Sequence, residues 1–212
     1  MSVQPADPRT MLFDGLEIAY DQHVLEPRPW TIAQAEWVAE AAAEVPPGPM
    51  LELFAGVGHI GLAAARRRGR ILVQVEIDRW AAQFAHLNAE TAGLSDLVEV
   101  RCAPVESALA PDEAFPLILA DPPWVDAELV HQYPADPRLC IDGGADGLQL
   151  VRAALEVIGA HLVTSGLAVL QVGPTQVPAV REAVEGLDTG LSICEVREFN
   201  RGALVGLTRR PA

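Results

Sequence analysis

From Met50 onward, short apolar runs alternate with longer segments of helical spacing, and this alternation limits the possible folds more than any other feature of the chain. Alternating strands and helices predict a mostly parallel sheet with helices on both faces. Two final apolar runs, Leu191–Glu198 and Ala203–Thr208, are joined by the turn residues Asn200–Gly202, which is a hairpin signal. We therefore predict an α/β sheet that is mostly parallel and ends in an antiparallel hairpin.

The residues before Met50 predict a smaller appended structure. Leu12–Tyr20 mixes apolar and polar residues in the manner of a short strand or hairpin, and Ile32–Glu44 has helical spacing. Thr31 and Gln34 have the spacing of a capping box at the start of that helix. We predict a hairpin or strand followed by one helix.

A glycine-rich turn follows the first strand of the alternating region. The strand Met50–Phe54 leads into glycines at positions 56, 58 and 61, which allow a tight turn and a close approach to a ligand. Glu76 ends the next strand, where an acid accepts hydrogen bonds from ribose hydroxyls. This fingerprint also fits the NAD of an oxidoreductase.

Glu52, inside the first strand, favours one cofactor over the other. A carboxylate there suits the ammonium of a methionine moiety, whereas it would repel a pyrophosphate. We therefore expect S-adenosyl-L-methionine rather than NAD. The residues that we predict to contact it are Glu52, Phe54, Ala55, Gly56, Gly58, His59, Ile60, Glu76, Ile77, Ala103 and Asp121.

The run Asp121-Pro122-Pro123-Trp124 follows the apolar strand Leu117–Ala120. Two prolines fix an extended backbone without N–H donors, so the Asp121 carboxylate and the Pro122 carbonyl both accept hydrogen bonds from one substrate NH₂ group. Fixed acceptors hold a delocalised nitrogen in line with a sulfonium methyl, and Trp124 offers a flat face to a planar amide or base. We predict that Asp121, Pro122 and Trp124 are catalytic.

The glycine turn and the Asp-Pro-Pro-Trp motif together resemble those of class I N-methyltransferases. The segments Val24–Thr31 and Leu139–Leu148 resemble the release-factor glutamine methyltransferases, and the resemblance covers most of the chain from Phe13 onward. It implies a Rossmann-like methyltransferase sheet of seven strands and N5 methylation of a glutamine side chain in a protein. It also implies substrate contacts from Arg28, Pro123 and Trp124.

Three differences from that family leave other substrates open. Asp121 and Trp124 stand where the family usually has Asn and Tyr, and too few residues precede Arg28 for its helical N-terminal domain. The run Leu53–Gly56 also resembles ribosomal RNA guanine-N2 methyltransferases. An exocyclic amine of rRNA or another nucleic acid and a small-molecule nitrogen are therefore the alternatives. We expect residues 1–49 to be an extension and residues 50–212 to be the catalytic domain that binds the cofactor.

The charge of the chain bears on its partners. The formal net charge is -14 at pH 7, whereas binding to a naked nucleic acid requires a basic face. The one basic cluster is Arg66–Arg68 with Arg70, which follows a predicted helix and suits the negative end of its dipole better than a phosphate. This balance favours a protein or small-molecule substrate over a naked nucleic acid.

Three further patterns bear on location and metals. The chain has no run of about 18 apolar residues that would predict a membrane span, and Met1–Arg9 lacks the order of a signal peptide. Its cysteines and histidines match no metal-binding spacing. We therefore expect a cytoplasmic enzyme without a metal or a membrane partner.

Overall fold

The computed structural model describes residues 8–209, which form nine strands and six helices. The strands are β1 (Arg9–Phe13), β2 (Leu16–Tyr20), β3 (Met50–Leu53), β4 (Leu72–Glu76), β5 (Val98–Cys102), β6 (Phe115–Ala120), β7 (Leu162–Val172), β8 (Leu191–Phe199) and β9 (Gly202–Arg209). The helices are α1 (Ile32–Ala41), α2 (His59–Arg68), α3 (Arg79–Thr91), α4 (Arg138–Ile141), α5 (Gln149–His161) and α6 (Val177–Gly186). The outermost parts of the predicted extension and domain, residues 1–7 and 210–212, lie outside the described residues.

Seven strands form one sheet in the order β5-β4-β3-β6-β7-β9-β8. Neighbouring strands are parallel except where β9 pairs with β7 and β8. The chain moves outward from β3 to β5 and then returns to the other side of β3 as β6. The predicted α/β fold with its antiparallel C-terminal hairpin is confirmed.

The strand order places a switch point between β3 and β6. Leu53 at the end of β3 is in register with Ala120 at the end of β6. Parallel neighbours lie about 4.8 Å apart, so the glycine-rich turn and the Asp-Pro-Pro-Trp run leave the sheet side by side. Ligands of open α/β sheets bind at such a point, outside the carboxyl ends of the strands.

Two hydrophobic clusters hold the layers together. The hairpin of β1 and β2 packs with α1, α2 and α3 in the first cluster, which includes Ile18, Val38 and Phe84. Helices α5 and α6 contribute Leu155 and Val180 to the second cluster. Each such side chain, when fully buried, stabilises the fold by about 1.5–3 kcal/mol.

Asn88 ties the N-terminal hairpin to the rest of the fold. Its Oδ1 accepts a hydrogen bond from the Ala19 N–H at 2.7 Å, and its Nδ2 donates to the carbonyls of Ala19 and Val57 at 3.0 and 2.9 Å. This fully buried side-chain amide therefore links the backbone of β2 to the backbone of the glycine-rich turn. The hairpin is confirmed, whereas the division at residue 49 stays a prediction.

The predicted capping box at Thr31 and Gln34 is wrong. The Thr31 hydroxyl donates to the Arg28 carbonyl at 2.8 Å and does not cap α1. Gln34 is fully buried, and its Nε2 donates to the carbonyls of Ala120 and Val169 at 3.0 and 2.8 Å. A buried amide must find partners, and the strand carbonyls under α1 supply them.

Two element boundaries differ from the prediction by several residues, and one short helix was not predicted. Helix α1 ends at Ala41 rather than near Glu44, and β7 begins at Leu162, five residues before the predicted Leu167. The four residues of α4 form a single helical turn that no periodicity indicates. These differences leave the order of the sheet unchanged.

The arginine cluster contributes to the structure. Arg66, Arg67 and Arg68 form the last turn of α2, where cations meet the negative end of the helix dipole. The Arg67 guanidinium donates to both carboxylate oxygens of Asp14 at 2.9 and 2.7 Å. Arg70 donates to three backbone carbonyls near the end of α1. These contacts leave the cluster poorly suited to bind phosphates.

Candidate active site

The turn after β3 is built from backbone conformations that favour glycine. Gly56 has a φ of 53° and Gly58 a φ of 83°, both in the left-handed region. A Cβ on Gly58 would lie 2.7 Å from the Gln74 amide nitrogen, whereas one on Gly56 would meet nothing within 4 Å. The turn therefore needs glycine at position 58 for packing, and Gly56 faces open space.

Glu76 holds this turn in place from the end of β4. Its Oε2 accepts a hydrogen bond from the Gly56 N–H at 2.7 Å, and its Oε1 accepts one from the Asp78 N–H at 2.8 Å. Burial raises the pKa of Glu76, and the two backbone N–H groups oppose that rise. Each carboxylate oxygen keeps a lone pair, which a ligand hydroxyl can use.

Glu52 lies behind the turn, where both of its carboxylate oxygens accept hydrogen bonds from protein groups. Its Oε1 accepts from the Gly61 N–H at 2.8 Å, and its Oε2 accepts from the Gln74 amide at 2.6 Å. Burial raises the pKa of Glu52 to about 7. Because Gly61 is in the first turn of α2, the carboxylate satisfies a free N–H at the positive end of the helix.

A cleft opens above the glycine-rich turn, and we call it the turn cleft. Eight of the predicted cofactor residues line it: Phe54, Ala55, Gly56, His59, Ile60, Glu76, Ile77 and Asp121. Glu52, Gly58 and Ala103 do not line it. The Ala103 N–H instead donates to the Glu76 carbonyl at 3.0 Å.

Residues that the sequence did not indicate also line the turn cleft. Pro104, Val105 and Glu106 follow β5, so an acid does face the cleft after the third strand of the sheet. Leu25, Glu26, Leu139 and Cys140 close it from two other loops. Glu106 could have been proposed from the sequence, because it lies four residues beyond the end of β5 and loops at that edge of the sheet converge on the ligand.

His59 begins α2 and is enclosed at the edge of the same cleft. Its Nε2 lies 3.2 Å from the Thr31 hydroxyl, and its ring packs edge-on against Phe13 at 4.8 Å. Burial lowers the pKa of His59 to about 3, so the ring is neutral at physiological pH. Its Nδ1 has no hydrogen-bond partner among the described residues.

A second cleft, which we call the motif cleft, adjoins the first. All the predicted catalytic and substrate residues line it: Arg28, Asp121, Pro122, Pro123 and Trp124. Asp121 lines both clefts and thus stands at their junction. Burial raises the pKa of Asp121 to about 7, and the hydrogen bond from Gln171 opposes part of this rise.

Trp124 is held from two sides. A Cβ on Gly173 would lie 2.8 Å from the Trp124 ring, so the ring packs against bare backbone after β7. The Gln176 amide donates to the carbonyls of Trp124 and Gly147 at 2.9 and 3.1 Å. The motif is therefore rigid at its last residue as well as at its prolines.

Two loops enclose both clefts, and an ion pair joins them. The Arg28 guanidinium donates to the Asp136 carboxylate at 2.6 Å. Arg28 lies on the segment before α1, and Asp136 lies on the long loop after the Asp-Pro-Pro-Trp run. Leu25 and Cys140, from the same two loops, line both clefts. Arg28 thus lines the clefts and also connects the two segments that enclose them.

Comparison with known proteins gives three related findings. A family model described as "Conserved hypothetical protein 95" matches residues 32–135. Ribosomal protein uL3 glutamine methyltransferase of Bradyrhizobium diazoefficiens is 33% identical over 129 residues, which cover 58% of this chain and 40% of that protein. Release factor glutamine methyltransferase of Cereibacter sphaeroides is 31% identical over 180 residues, 82% of this chain and 63% of that protein.

A solved structure has the same fold as this chain. A methyltransferase from Pyrococcus furiosus has a TM-score of 0.68 and 18% identity, and the match covers 92% of this chain and 90% of that one. This chain has the fold of the class I methyltransferases. Methyltransferases of this class generally use S-adenosyl-L-methionine. The chain spans 40% to 63% of the length of the two curated relatives named above.

Two further observations concern metal ions and membranes. Within residues 8–209, no three His, Cys, Asp or Glu side chains are grouped so that they could hold a metal ion. No helix in that range is long and apolar enough to cross a membrane.

Proposed function

We propose that this chain transfers a methyl group from S-adenosyl-L-methionine to a planar amide or amino nitrogen, and that the nitrogen is the side-chain amide of a protein glutamine. The names of the two curated relatives support a translation protein as the target and a cytoplasmic location. The observation that carries the proposal is the position of Asp121, at the junction of the two clefts.

The turn cleft suits the cofactor in three respects. The open face of Gly56 leaves room for a ligand against the backbone, and Glu76 retains lone pairs for ribose hydroxyls. His59 has an unpaired buried Nδ1 at the cleft edge, which a polar ligand atom would satisfy. When bound, S-adenosyl-L-methionine would supply an electrophilic methyl on a sulfonium. Glu106 is placed to accept a hydrogen bond from an amine such as that of adenine.

Asp121 and Pro122 would position the acceptor nitrogen. Gln171 occupies Oδ1 of Asp121, and no described residue donates to Oδ2, so this oxygen is available to a substrate NH₂ group. Pro122 also lines the motif cleft, and we infer that its carbonyl is the second acceptor. Two acceptors on one NH₂ group restrict its rotation and favour pyramidalisation of the nitrogen as positive charge develops. The proton leaves late, to Asp121 or to water.

The first experiment is a calorimetric titration of the chain with S-adenosylhomocysteine and, separately, with NAD. We expect micromolar binding of S-adenosylhomocysteine alone. Tighter binding of NAD would overturn the cofactor assignment and support an oxidoreductase. The chain is then incubated with tritiated cofactor and, in separate reactions, a release factor, ribosomal protein uL3 and ribosomal RNA. Label on RNA alone would overturn the glutamine assignment.

Asp121→Ala tests the residue that carries the proposal. We expect turnover to fall by about 10²–10³-fold, the loss typical of one fixed polar group at the reacting atoms. Binding of S-adenosylhomocysteine should be largely retained. Arg181→Ala, on an exposed position of α6, is the matched control and should keep full activity. Unchanged turnover in Asp121→Ala would refute the role of Asp121.

A further inference from the structure

The mouth of the motif cleft carries an exposed aromatic pair. Trp30 and Tyr133, which both line the cleft, remain 36% and 44% exposed. Arg201, at the turn between β8 and β9, also lines the cleft and stacks on Trp30, with its Cζ 4.7 Å from the ring centroid. Exposed aromatic and arginine side chains are the residues most enriched at protein-binding sites.

Arg201 differs in its charge pairing from the other cation at this mouth. Arg28 is paired with Asp136 at 2.6 Å, so its charge is largely compensated. Arg201 has no carboxylate within 4.0 Å among residues 8–209. In a chain with a net charge of -14, an unpaired cation beside the substrate entrance is a local point of attraction for a negatively charged group.

We propose that Arg201, steadied by Trp30, is a specificity-determining residue that binds a carboxylate in the protein substrate beside the acceptor glutamine. This inference rests on the proposed function. A guanidinium offers paired N–H donors that match the two oxygens of a carboxylate. Its stacking on Trp30 restricts the side chain before the substrate arrives, which reduces the entropy lost on binding.

The observations favour a peptide carboxylate over an RNA phosphate. RNA recognition draws on several cations, because each phosphate contact releases counterions and adds to affinity. Arg201 is one unpaired cation, and the only other cation at the cleft is already paired with Asp136. One guanidinium beside two exposed aromatic rings fits one acidic side chain in an otherwise neutral segment.

The test uses binding, so it does not depend on turnover. Short peptides with a central glutamine carry one Glu at each neighbouring position in turn, and matched peptides carry Gln or Lys there. Each is titrated into the chain saturated with S-adenosylhomocysteine. We expect one Glu peptide to bind about five- to tenfold more tightly than its Gln counterpart, which lies within the range of one ordinary net hydrogen bond.

Two substitutions identify the residue responsible. Arg201→Ala should abolish the preference for Glu, and Arg201→Glu should reverse it in favour of the Lys peptide. Arg181→Ala should leave it intact. Equal affinities for all three peptides in the wild-type chain would overturn the inference. So would a preference that persists in Arg201→Ala, or Arg201-dependent binding of an RNA oligonucleotide in place of the peptides.

Failure of the proposed function has a separate signature. If the Glu peptide binds in an Arg201-dependent manner and no glutamine is methylated, the inference about Arg201 stands and the glutamine assignment fails. If the glutamine peptides are methylated with no influence of Arg201, the proposed function stands and this inference fails.

Discussion

Gln171 donates a hydrogen bond from its Nε2 to Oδ1 of Asp121, at a distance of 3.0 Å. The two residues come from the ends of neighbouring strands, β7 and β6, and Gln171 is buried. The bond fixes the carboxylate orientation, and it leaves Oδ2 directed to no described donor. It also opposes the effect of burial, which raises the pKa of Asp121 to about 7. The availability of the acceptor therefore depends on pH.

Replacing Gln171 with Leu should move the pH profile of the enzyme. Asp121 acts as an acceptor only when ionised, so wild-type kcat/KM should fall as the pH drops through about 7. Loss of the Gln171 donor removes a contribution that lowers the pKa, so the midpoint of this fall should move to higher pH. The profile of kcat/KM against pH measures both midpoints. A uniform loss of activity with an unchanged midpoint would contradict the role given to Gln171.

Asp121→Asn should stabilise the fold at alkaline pH. Burial raises the folded-state pKa of Asp121 from 3.8 to about 7, so the folded chain loses stability as the pH rises from about 4 to about 7, and the loss is complete above that range. The neutral amide avoids that cost, which is at most about 4 kcal/mol, so Tm at pH 8 should rise by several degrees. The difference should vanish near pH 4. A difference that is the same at both pH values would contradict the assigned pKa.

Glu76→Gln should weaken cofactor binding almost as much as Glu76→Ala. Both carboxylate oxygens accept from backbone N–H groups, those of Gly56 at 2.7 Å and Asp78 at 2.8 Å. A glutamine would turn its NH₂ group towards one of these donors and leave a buried N–H unpaired, which costs about 1–3 kcal/mol. Titration with S-adenosylhomocysteine should show a loss of roughly tenfold or more. Wild-type affinity in Glu76→Gln would contradict this geometry.

Gly61→Ala should displace the carboxylate of Glu52. A Cβ at this position overlaps that carboxylate and would lie 2.8 Å from its Cδ. Because Glu52 pairs with both Gly61 and Gln74, the displacement should lower the free energy of unfolding by about 1–3 kcal/mol and weaken cofactor binding. Gly186→Ala, where a Cβ meets nothing within 4 Å, is the matched control. Equal Tm values for the two variants would refute the packing described.

The sequence predicts most of the fold because the apolar runs of the buried strands are unambiguous. The boundaries that were wrong lie where burial outweighs local pattern. Gln34 has the spacing of a cap, yet its side chain is buried on the face of α1 that packs on the sheet, where it donates to the carbonyls of Ala120 and Val169. The one-turn helix α4 is too short to show a period.

The positions of two candidate site residues could be predicted because each residue stands at the end of a strand. Asp121 and Glu76 face the clefts as their positions imply. Glu52 is on the correct strand, but strand periodicity gives only the face of the sheet and not the partner of the carboxylate. Glu106 and Arg201 reach the clefts through loops, whose paths depend on contacts between distant residues.

Leu53 is in register with Ala120, and this pairing belongs to a different part of the chain from the residues that form the cleft mouth. The ladder between β3 and β6 sets the spacing of the groups that would take part in the reaction, whereas the cleft mouth is built from the segment before α1, the loop after Trp124 and the last hairpin. These three pieces lie outside the ladder. A lineage of such enzymes could therefore acquire a new target by exchanging its rim while it inherits the reacting centre unaltered.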